Sequence, residues 1–326
     1  MRQLLQRLST QEIERIGRRE ALPPALFSYM NLTGLLTEQP NPASDHIDAL
    51  PTGDVLAIIN QEDQRVPSAV ASELPQITEA VDRIVDLVRG GGRLFYIGAG
   101  TSGRLGVLDA AECPPTFQVP LDLVQGIIAG GEAALARATE ASEDDPEIGK
   151  RDLADRGFQS KDALVGIAAS GRTPYVLGAI EAANELGALT IAISCTPDSP
   201  LAHRARIAIT PLVGPEVIAG STRMKAGTAT KLVLNMISTA VMIRLGYVFG
   251  NLMVNVQPRN TKLRDRAIRI VLSNTTLSYQ RAGELLSEAG DHVAVAILMA
   301  RLSLDRGSAE ARLAAAGGRI SVALKN

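Results

Sequence analysis

Two short loops rich in glycine and hydroxyl residues are the parts of this chain best suited to bind an anion. Residues 98–103 read Gly-Ala-Gly-Thr-Ser-Gly, and residues 169–174 read Ala-Ser-Gly-Arg-Thr-Pro. Each loop follows an apolar, strand-like run and precedes a helical pattern. Backbone N–H groups at the start of a helix, with hydroxyls beside them, favour a phosphate. Two such loops at strand ends of one sheet predict a phosphorylated small molecule as ligand.

A dinucleotide is the first alternative, because Gly98, Gly100 and Gly103 fit the G-x-G-x-x-G pattern. That pattern also requires an acidic residue about 20 residues later, which binds a ribose. Here the next strand-like run ends in two glycines, and Glu132 follows later than the pattern requires. A nucleotide also leaves the second hydroxyl-rich loop unexplained. The residues therefore favour a phosphosugar and leave a nucleotide as the weaker alternative.

Two acidic segments offer groups for acid–base chemistry. Glu112 comes just before two prolines, which we expect to end its helix near residue 111. Glu140, Glu143 and Asp144 lie together in an acidic turn over residues 139–146. By residue type alone, such carboxylates are more typical of a solvated surface than of a catalytic site.

A third segment, Gly220 to Ala229, precedes the longest apolar helical pattern in the chain. Ser221 can cap that helix, and Lys225 adds positive charge. The segment is therefore either an ordinary helix start or a third wall of the anion site. Another segment, Leu36 to Ser44, is marked by two prolines and indicates only a loop by composition.

Composition excludes several classes of protein. The 326 residues carry a formal net charge of −2, so no basic excess indicates a nucleic-acid partner. The two cysteines and three histidines are too few and too far apart to predict disulfides or a metal site. The apolar run from Leu232 to Ile243 is too short to span a membrane, and no signal-peptide pattern is evident. We therefore expect a cytoplasmic protein that contacts neither membrane nor nucleic acid.

Strand-like and helical patterns alternate through the middle of the chain and predict an α/β fold, a doubly wound parallel sheet. The predicted strands are 93–97, 122–129, 163–169, 188–194 and 206–210. The predicted helices are 54–60, 67–89, 102–111, 131–140, 147–156, 173–186 and 226–245.

Three parts of the chain follow from these patterns. Residues 1–30 form an Arg-rich N-terminal extension, and residues 31–257 form the α/β domain with its N-terminal helices. Residues 258–326 form a small helical domain, with short helices expected at 261–273, 277–288, 291–303 and 308–316.

Four motifs in this order resemble the N-acetylmuramic acid 6-phosphate etherases, a family built on the sugar isomerase domain and related to the glucokinase regulatory proteins. They are Gly98-Ala-Gly-Thr-Ser-Gly-Arg-Leu105, Ala111-Glu-Cys-Pro-Pro115, Gly166-Ile-Ala-Ala-Ser-Gly-Arg-Thr-Pro-Tyr175 and Gly220-Ser-Thr-Arg-Met-Lys-Ala-Gly-Thr228. The resemblance runs from about Leu36 to Asn255 and does not include residues 1–30.

The resemblance implies a reaction in which water and N-acetylmuramic acid 6-phosphate give N-acetylglucosamine 6-phosphate and D-lactate. It implies that Glu112 protonates the departing lactate. Glu143 matches the second family glutamate, to which we assign abstraction of the C2 proton, with Glu140 and Asp144 as rivals. The phosphosugar is expected to contact Gly100, Thr101, Ser102, Ser170, Arg172, Thr173, Ser221 and Lys225. The reaction needs no metal and no cofactor.

Two other functions stay open at this point: a non-catalytic sugar-phosphate-binding regulator and an aldose–ketose isomerase on the same scaffold. We also expect a homodimer with shared active sites. If the stretch after Gly103 is helical, Glu112 lies about 13 Å from its own phosphate loop, at about 1.5 Å per residue. That distance is long for a carboxylate acting on the same sugar, so a second subunit is expected to supply it. The alternative is a monomer in which the 102–112 segment bends back.

Overall fold

The structure is a computed structural model that describes residues 35–137, 143–256, 258 and 260–325. The predicted N-terminal extension, 1–30, and Glu140 lie outside these residues. Before the sheet, three short 3₁₀ helices lie at Leu36–Glu38, Pro42–Ser44 and Ile47–Ala49. Helices α1 (Thr52–Asp63), α2 (Val66–Ala71) and α3 (Leu74–Arg89) follow them. The single helix predicted at 67–89 is thus two helices, because Pro75 cannot donate the backbone hydrogen bond that would continue α2.

A five-stranded parallel sheet is the centre of the α/β domain. Its strands are β1 (Leu94–Gly98), β2 (Val124–Ile128), β3 (Ala163–Ile167), β4 (Leu189–Ile193) and β5 (Ile207–Ile209). They pair in the order β2-β1-β3-β4-β5, which confirms the predicted doubly wound parallel sheet. All five residues of β1, β3 and β4 are buried, as their continuous apolar sequences predict.

Helices cover both faces of this sheet. On one face, α3 packs with α4 (Gly100–Phe117) and α9 (Lys225–Leu245). On the other face lie α6 (Pro146–Asp155), α7 (Pro174–Glu185) and α8 (Pro200–Arg204). Along β1, Tyr96 faces the first core and Phe95 the second, which is the alternation expected of a strand covered on both sides.

The prediction that two prolines end α4 near residue 111 is wrong. The helix continues through Pro114 and Pro115 and ends at Phe117, where Gln118 adopts the left-handed conformation with φ 56°. The prolines remove only two hydrogen bonds from the last turn. Burial of Cys113 and Phe117 in the core holds that turn in place.

Some short elements also differ from the sequence predictions. The helix predicted at 131–140 is present only as α5 (Ala133–Ala136), with residues 138–142 outside the described part of the chain. Helix α8 was not predicted, although Ser199 and Pro200 form a typical helix start, with Ser199 accepting a hydrogen bond from the Ala202 N–H at 3.2 Å.

After α9 the chain forms a two-stranded hairpin, β6 (Val248–Phe249) and β7 (Leu252–Met253), and then helices only. These are α10 (Thr261–Ser273), α11 (Tyr279–Glu288), α12 (Val293–Leu302), α13 (Arg306–Ala315) and α14 (Ile320–Ala323). They surround a third apolar core, separate from the two that flank the sheet, to which Val254 and Val256 also belong. The division between residues 257 and 258 stays a prediction, since residue 257 is not described.

Helix α9 is the one described helix long and apolar enough to cross a membrane by length and composition. More than half of its most apolar stretch is buried inside the protein, with Val233, Ile237 and Val241 in the core against α3 and α4. This packing is typical of a core helix.

Candidate active site

The two hydroxyl-rich loops lie next to each other, at the carboxyl ends of adjacent strands. Strands β1 and β3 pair in register, with Gly98 opposite Ile167. Helix α4 starts directly after β1 and packs on one face, whereas α7 starts after β3 and packs on the other. The chain therefore diverges between these strands and leaves a crevice, which is the position where doubly wound folds bind ligands.

Backbone packing sets the shape of the first loop. A Cβ at Gly98 would lie 2.8 Å from the Gly103 nitrogen, and a Cβ at Gly103 would lie 2.6 Å from the Gly98 oxygen. Gly100, with φ 51°, is the first residue of α4, and the N-cap residue Ala99 makes no side-chain capping hydrogen bond. Thr101 and Ser102 therefore lie, half-buried, in the first turn of the helix, where an anion is favoured.

The second loop turns at Gly171, where φ is 64° and a Cβ would lie 2.3 Å from Ser199. Ser170 Oγ accepts a hydrogen bond from the Arg172 N–H at 3.3 Å. Thr173 is the N-cap residue of α7, and its side chain makes no capping hydrogen bond. The three polar residues of this loop, Ser170, Arg172 and Thr173, are half-buried, so a second helix start lies at the crevice together with hydroxyls.

Glu143 connects the two loops. Its backbone carbonyl accepts a hydrogen bond from the Tyr175 N–H at 3.1 Å, at the start of α7. Its carboxylate oxygen Oε1 lies 3.5 Å from the position that a Cβ would occupy on Gly100, in the first loop. Of Glu143 and Asp144, the two of these carboxylates that the structure describes, Glu143 lies at the crevice and Asp144 is exposed.

Close contact between α6 and α7 fixes the position of Glu143. A Cβ on Gly149 would lie 1.9 Å from the Tyr175 oxygen, and a Cβ on Gly178 would lie 2.2 Å from the Pro146 oxygen. The two helices therefore touch through their backbones. Since α6 begins three residues after Glu143, this contact determines where the carboxylate lies.

Glu112 is not near the loops of its own chain. It lies twelve residues after Gly100 on the continuous helix α4, a separation of about 18 Å at 1.5 Å per residue. Its side chain is exposed to solvent, close to the contact between α4 and α9. In that contact Asp109 Oδ1 accepts hydrogen bonds from Asn235 Nδ2 at 2.7 Å and from Ser238 Oγ at 3.1 Å.

The third segment lies beside the first loop. A Cβ on Gly227 would lie 3.6 Å from Thr101 Cγ2, so the start of α9 and the first turn of α4 are in contact. Ser221 is half-buried in this segment. Lys225 is fully buried, and its ammonium group donates to Glu62 Oε2 in an internal ion pair, so that in this structure it faces α1 and not the solvent.

Two buried glutamates that sequence reasoning missed hold this third segment in place. Glu216 accepts hydrogen bonds from the Lys225 and Ala226 N–H groups, both at 2.9 Å, and thereby caps α9. Burial raises the pKa of Glu216. Burial also acts to raise the pKa of Glu62, but hydrogen bonds from Lys225 and Asn41 outweigh it and lower that pKa below its usual 4.5.

The lowered pKa of Glu62 makes a pH-dependent contribution to stability. The contribution is present above pH 4.5 and is lost as the pH falls through the lower folded-state value. At pH 7, Glu62→Gln leaves Lys225 buried without its counter-ion, and we expect a loss of roughly 3–5 kcal/mol in the free energy of unfolding. Urea unfolding of both proteins at falling pH should show this difference shrinking below pH 4.5.

Glu79→Gln is the matched control, because Glu79 forms an exposed ion pair with Arg83 at 3.5 Å. Exposed pairs contribute little, so its unfolding should match that of the unchanged protein. A difference between Glu62→Gln and the unchanged protein that stays constant down to pH 3 contradicts the assignment.

Within the described ranges, no three His, Cys, Asp or Glu side chains are placed to hold a metal ion. The groups at the crevice are hydroxyls, helix starts and the Glu143 carboxylate. This set can bind an anion and remove a proton from a bound molecule.

Comparison with known proteins agrees with this geometry. The glucokinase regulatory protein N-terminal SIS domain matches residues 76–184, and the general SIS domain matches residues 155–240. These matches contain the two loops and the third segment respectively.

Several curated proteins are similar over almost their whole length. An N-acetylmuramic acid 6-phosphate etherase of Aliivibrio fischeri is 54% identical over 91% of this chain and 99% of its own. Those of Pasteurella multocida and Serratia proteamaculans are 54% and 51% identical, over 89% and 90% of this chain and 96% and 99% of their own. With this identity and coverage, the chain belongs to the N-acetylmuramic acid 6-phosphate etherase family.

Proposed function

We propose that this protein cleaves the lactyl ether of N-acetylmuramic acid 6-phosphate with water, giving N-acetylglucosamine 6-phosphate and D-lactate. The observation that carries the proposal is the identity of 54% over 91% of the chain with a relative of that name. The position of Glu143 between two anion-favouring loops supports it. We place the reaction in the cytoplasm, where the two free, buried cysteines are compatible with a reducing compartment.

In this proposal the 6-phosphate lies across the starts of α4 and α7. Ser102, Ser170 and Thr173 donate hydroxyl hydrogen bonds, and the two helix N-termini supply backbone N–H groups and positive potential. Gly100, Thr101, Arg172 and Ser221 line the same crevice. Lys225 supports the third segment from inside, through Glu62.

Ser170→Ala tests the phosphate site. A hydrogen bond to a charged group contributes about 1.5–3 kcal/mol, so we expect KM to rise roughly tenfold or more. Ser72→Ala is the matched control, because Ser72 is exposed and bonds only the nearby Ala69 carbonyl at 2.7 Å. Steady-state kinetics give the answer, and an unchanged kcat and KM in Ser170→Ala would refute the assignment.

The chemistry starts from the open-chain aldehyde, in which the C1 carbonyl acidifies the C2 proton. Glu143 removes that proton, the C3–O bond breaks, and Glu112 donates a proton to the departing lactate oxygen. Water then adds to C3, and a proton returns to C2, so that the sum is hydrolysis of the ether. One carboxylate acts as base while the other acts as acid, which requires opposite protonation states in two different environments.

We propose that a second copy of the chain supplies Glu112. The separation of about 18 Å along α4 keeps Glu112 from the loops of its own chain. The surface beside it is apolar: Leu108 of α4, Met236 and Ile243 of α9 and Leu74 of α3 are all exposed large hydrophobic residues. Between α3 and α9 this surface forms a groove of about 820 Å³.

A twofold dimer places equivalent surfaces against each other. Pairing through this apolar surface buries its exposed leucine, isoleucine and methionine side chains and carries Glu112 of one subunit toward the loops of the other. Exposed apolar patches of this kind are typical of protein–protein interfaces.

The decisive experiment incubates the purified protein with N-acetylmuramic acid 6-phosphate and measures free D-lactate. Release of D-lactate with formation of N-acetylglucosamine 6-phosphate is the expected result. Binding of the sugar phosphate without release identifies a regulator, and interconversion of aldose and ketose phosphates without lactate release identifies an isomerase.

A further inference from the structure

The segment from Leu35 to Ser44 is held by hydrogen bonds against the loop that leads into the third segment, Gly220 to Ala229. Asn41 Nδ2 donates to Glu62 Oε2 at 2.8 Å and to the Pro215 carbonyl at 3.0 Å. Ser44 Oγ donates to the Val217 carbonyl at 2.7 Å. Asn41 and Glu62 are both buried, so this segment is anchored by the same internal contacts that hold Lys225.

Near the amino-terminal end of the Leu35–Ser44 segment, the Glu38 carboxylate contacts the third segment. The Gly220 N–H donates to the Thr37 carbonyl at 3.0 Å. Glu38 Oε2 lies 2.9 Å from the position of a Cβ on Gly220, whose φ of 77° favours glycine. Glu38 therefore lies directly on the Gly220 backbone.

One oxygen of Glu38 has a partner and the other is available. Thr37 Oγ1 donates to Oε1 at 3.2 Å. Within the part of the chain that the structure describes, no hydrogen bond or ion pair reaches Oε2, although the residue is half-buried. A ligand that donates a hydrogen bond to Glu38 Oε2 would therefore gain binding free energy from this contact.

The third segment connects Glu38 to the first loop. The Thr222 N–H donates to the Gly220 carbonyl, and the Gly227 N–H donates to the Thr222 carbonyl, both at 3.0 Å. Gly227 in turn contacts Thr101, with 3.6 Å between Thr101 Cγ2 and a Cβ at Gly227. These contacts thus connect Glu38 to the first loop through the third segment, and Glu38 lies at the end of that segment farther from the starts of α4 and α7.

We propose that Glu38 Oε2 accepts a hydrogen bond from a neutral donor of the bound phosphosugar, either a sugar hydroxyl or the acetamido N–H. A carboxylate repels the phosphate and the lactyl carboxylate, so an uncharged O–H or N–H group is the complementary partner. The inference rests on the proposed function, because it takes the phosphate to lie at the starts of α4 and α7.

Calorimetric titration with two compounds tests this contact: N-acetylglucosamine 6-phosphate, and glucose 6-phosphate, which lacks the acetamido group. Glu38→Ala should weaken binding of the first compound about ten- to a hundredfold, the range for a hydrogen bond to a charged group. If the donor is the acetamido N–H, glucose 6-phosphate binding is unchanged; if it is a hydroxyl, both compounds weaken equally. Unchanged binding of both compounds overturns the proposal.

Asp45→Ala is the matched control, since Asp45 lies just beyond the same segment and its side chain is 77% exposed. Glu38→Gln keeps the size of the side chain and a neutral acceptor, so it should lose affinity by a smaller factor, and it decides the question if Glu38→Ala does not fold. If the unchanged protein binds neither compound, the proposed function itself fails. If it binds both and neither Glu38 variant differs from it, only the role of Glu38 fails.

Discussion

Glu143→Gln is expected to abolish both D-lactate release and exchange of the C2 proton with deuterated solvent. An amide cannot accept the C2 proton, and loss of a general base typically lowers the rate by about 10²- to 10⁴-fold. The carboxylate lies against the first loop, and its backbone is bonded to the start of α7, so the substitution leaves both anchors in place. Proton NMR of the sugar in deuterium oxide follows the exchange, and a lactate dehydrogenase assay follows the release.

Asp144→Asn is the matched control for Glu143→Gln, because Asp144 is the adjacent carboxylate and is exposed. It should retain normal exchange and release. Persistent C2 exchange in Glu143→Gln would move the base elsewhere, with Glu140 as the next candidate to replace by glutamine.

Glu112→Gln is expected to lower D-lactate release by about 10²- to 10⁴-fold, because the amide cannot donate a proton to the ether oxygen. Unlike Glu143→Gln, it should still exchange the C2 proton, since the base is intact. Glu132→Gln, another exposed glutamate, serves as control and should behave like the unchanged protein. Normal lactate release by Glu112→Gln would exclude Glu112 as the acid.

Mixing the two inactive variants tests whether sites are shared. In a dimer of one Glu112→Gln and one Glu143→Gln subunit, one shared site carries both substitutions and the other carries none. Random exchange of subunits therefore restores about a quarter of the sites in a twofold dimer. Sedimentation of the protein as a monomer at assay concentration, or no recovery after proven exchange, would show that each site belongs to one chain.

The strands could be predicted from sequence to within a few residues, because short apolar runs ended by glycine, hydroxyl residues or proline leave little choice for a buried parallel strand. The end of α4 could not. A proline removes one hydrogen bond, and the packing of Phe117 against the core decides whether the helix continues. That packing depends on residues far away in the sequence.

The two loops of the site could also be predicted from sequence, since glycine and hydroxyl residues at strand ends indicate an anion site locally. The environment of Lys225 could not be predicted from sequence. Its partner Glu62 is 163 residues away in sequence, and nothing near Lys225 indicates that its charge is neutralised inside the protein. Likewise, Glu143 differs from the exposed Asp144 by a contact with Gly100, which spacing within a loop does not determine.

The backbone contact between α6 and α7 has a consequence for mutational screens. Gly149 and Gly178 lie outside the crevice, yet any side chain there separates the helices and displaces the turn that carries Glu143. A screen that scores only activity will group these two glycines with the catalytic residues. The position of the Glu143 carboxylate thus depends partly on residues outside the crevice. A map of functionally important residues drawn from such a screen will therefore extend beyond the binding surface.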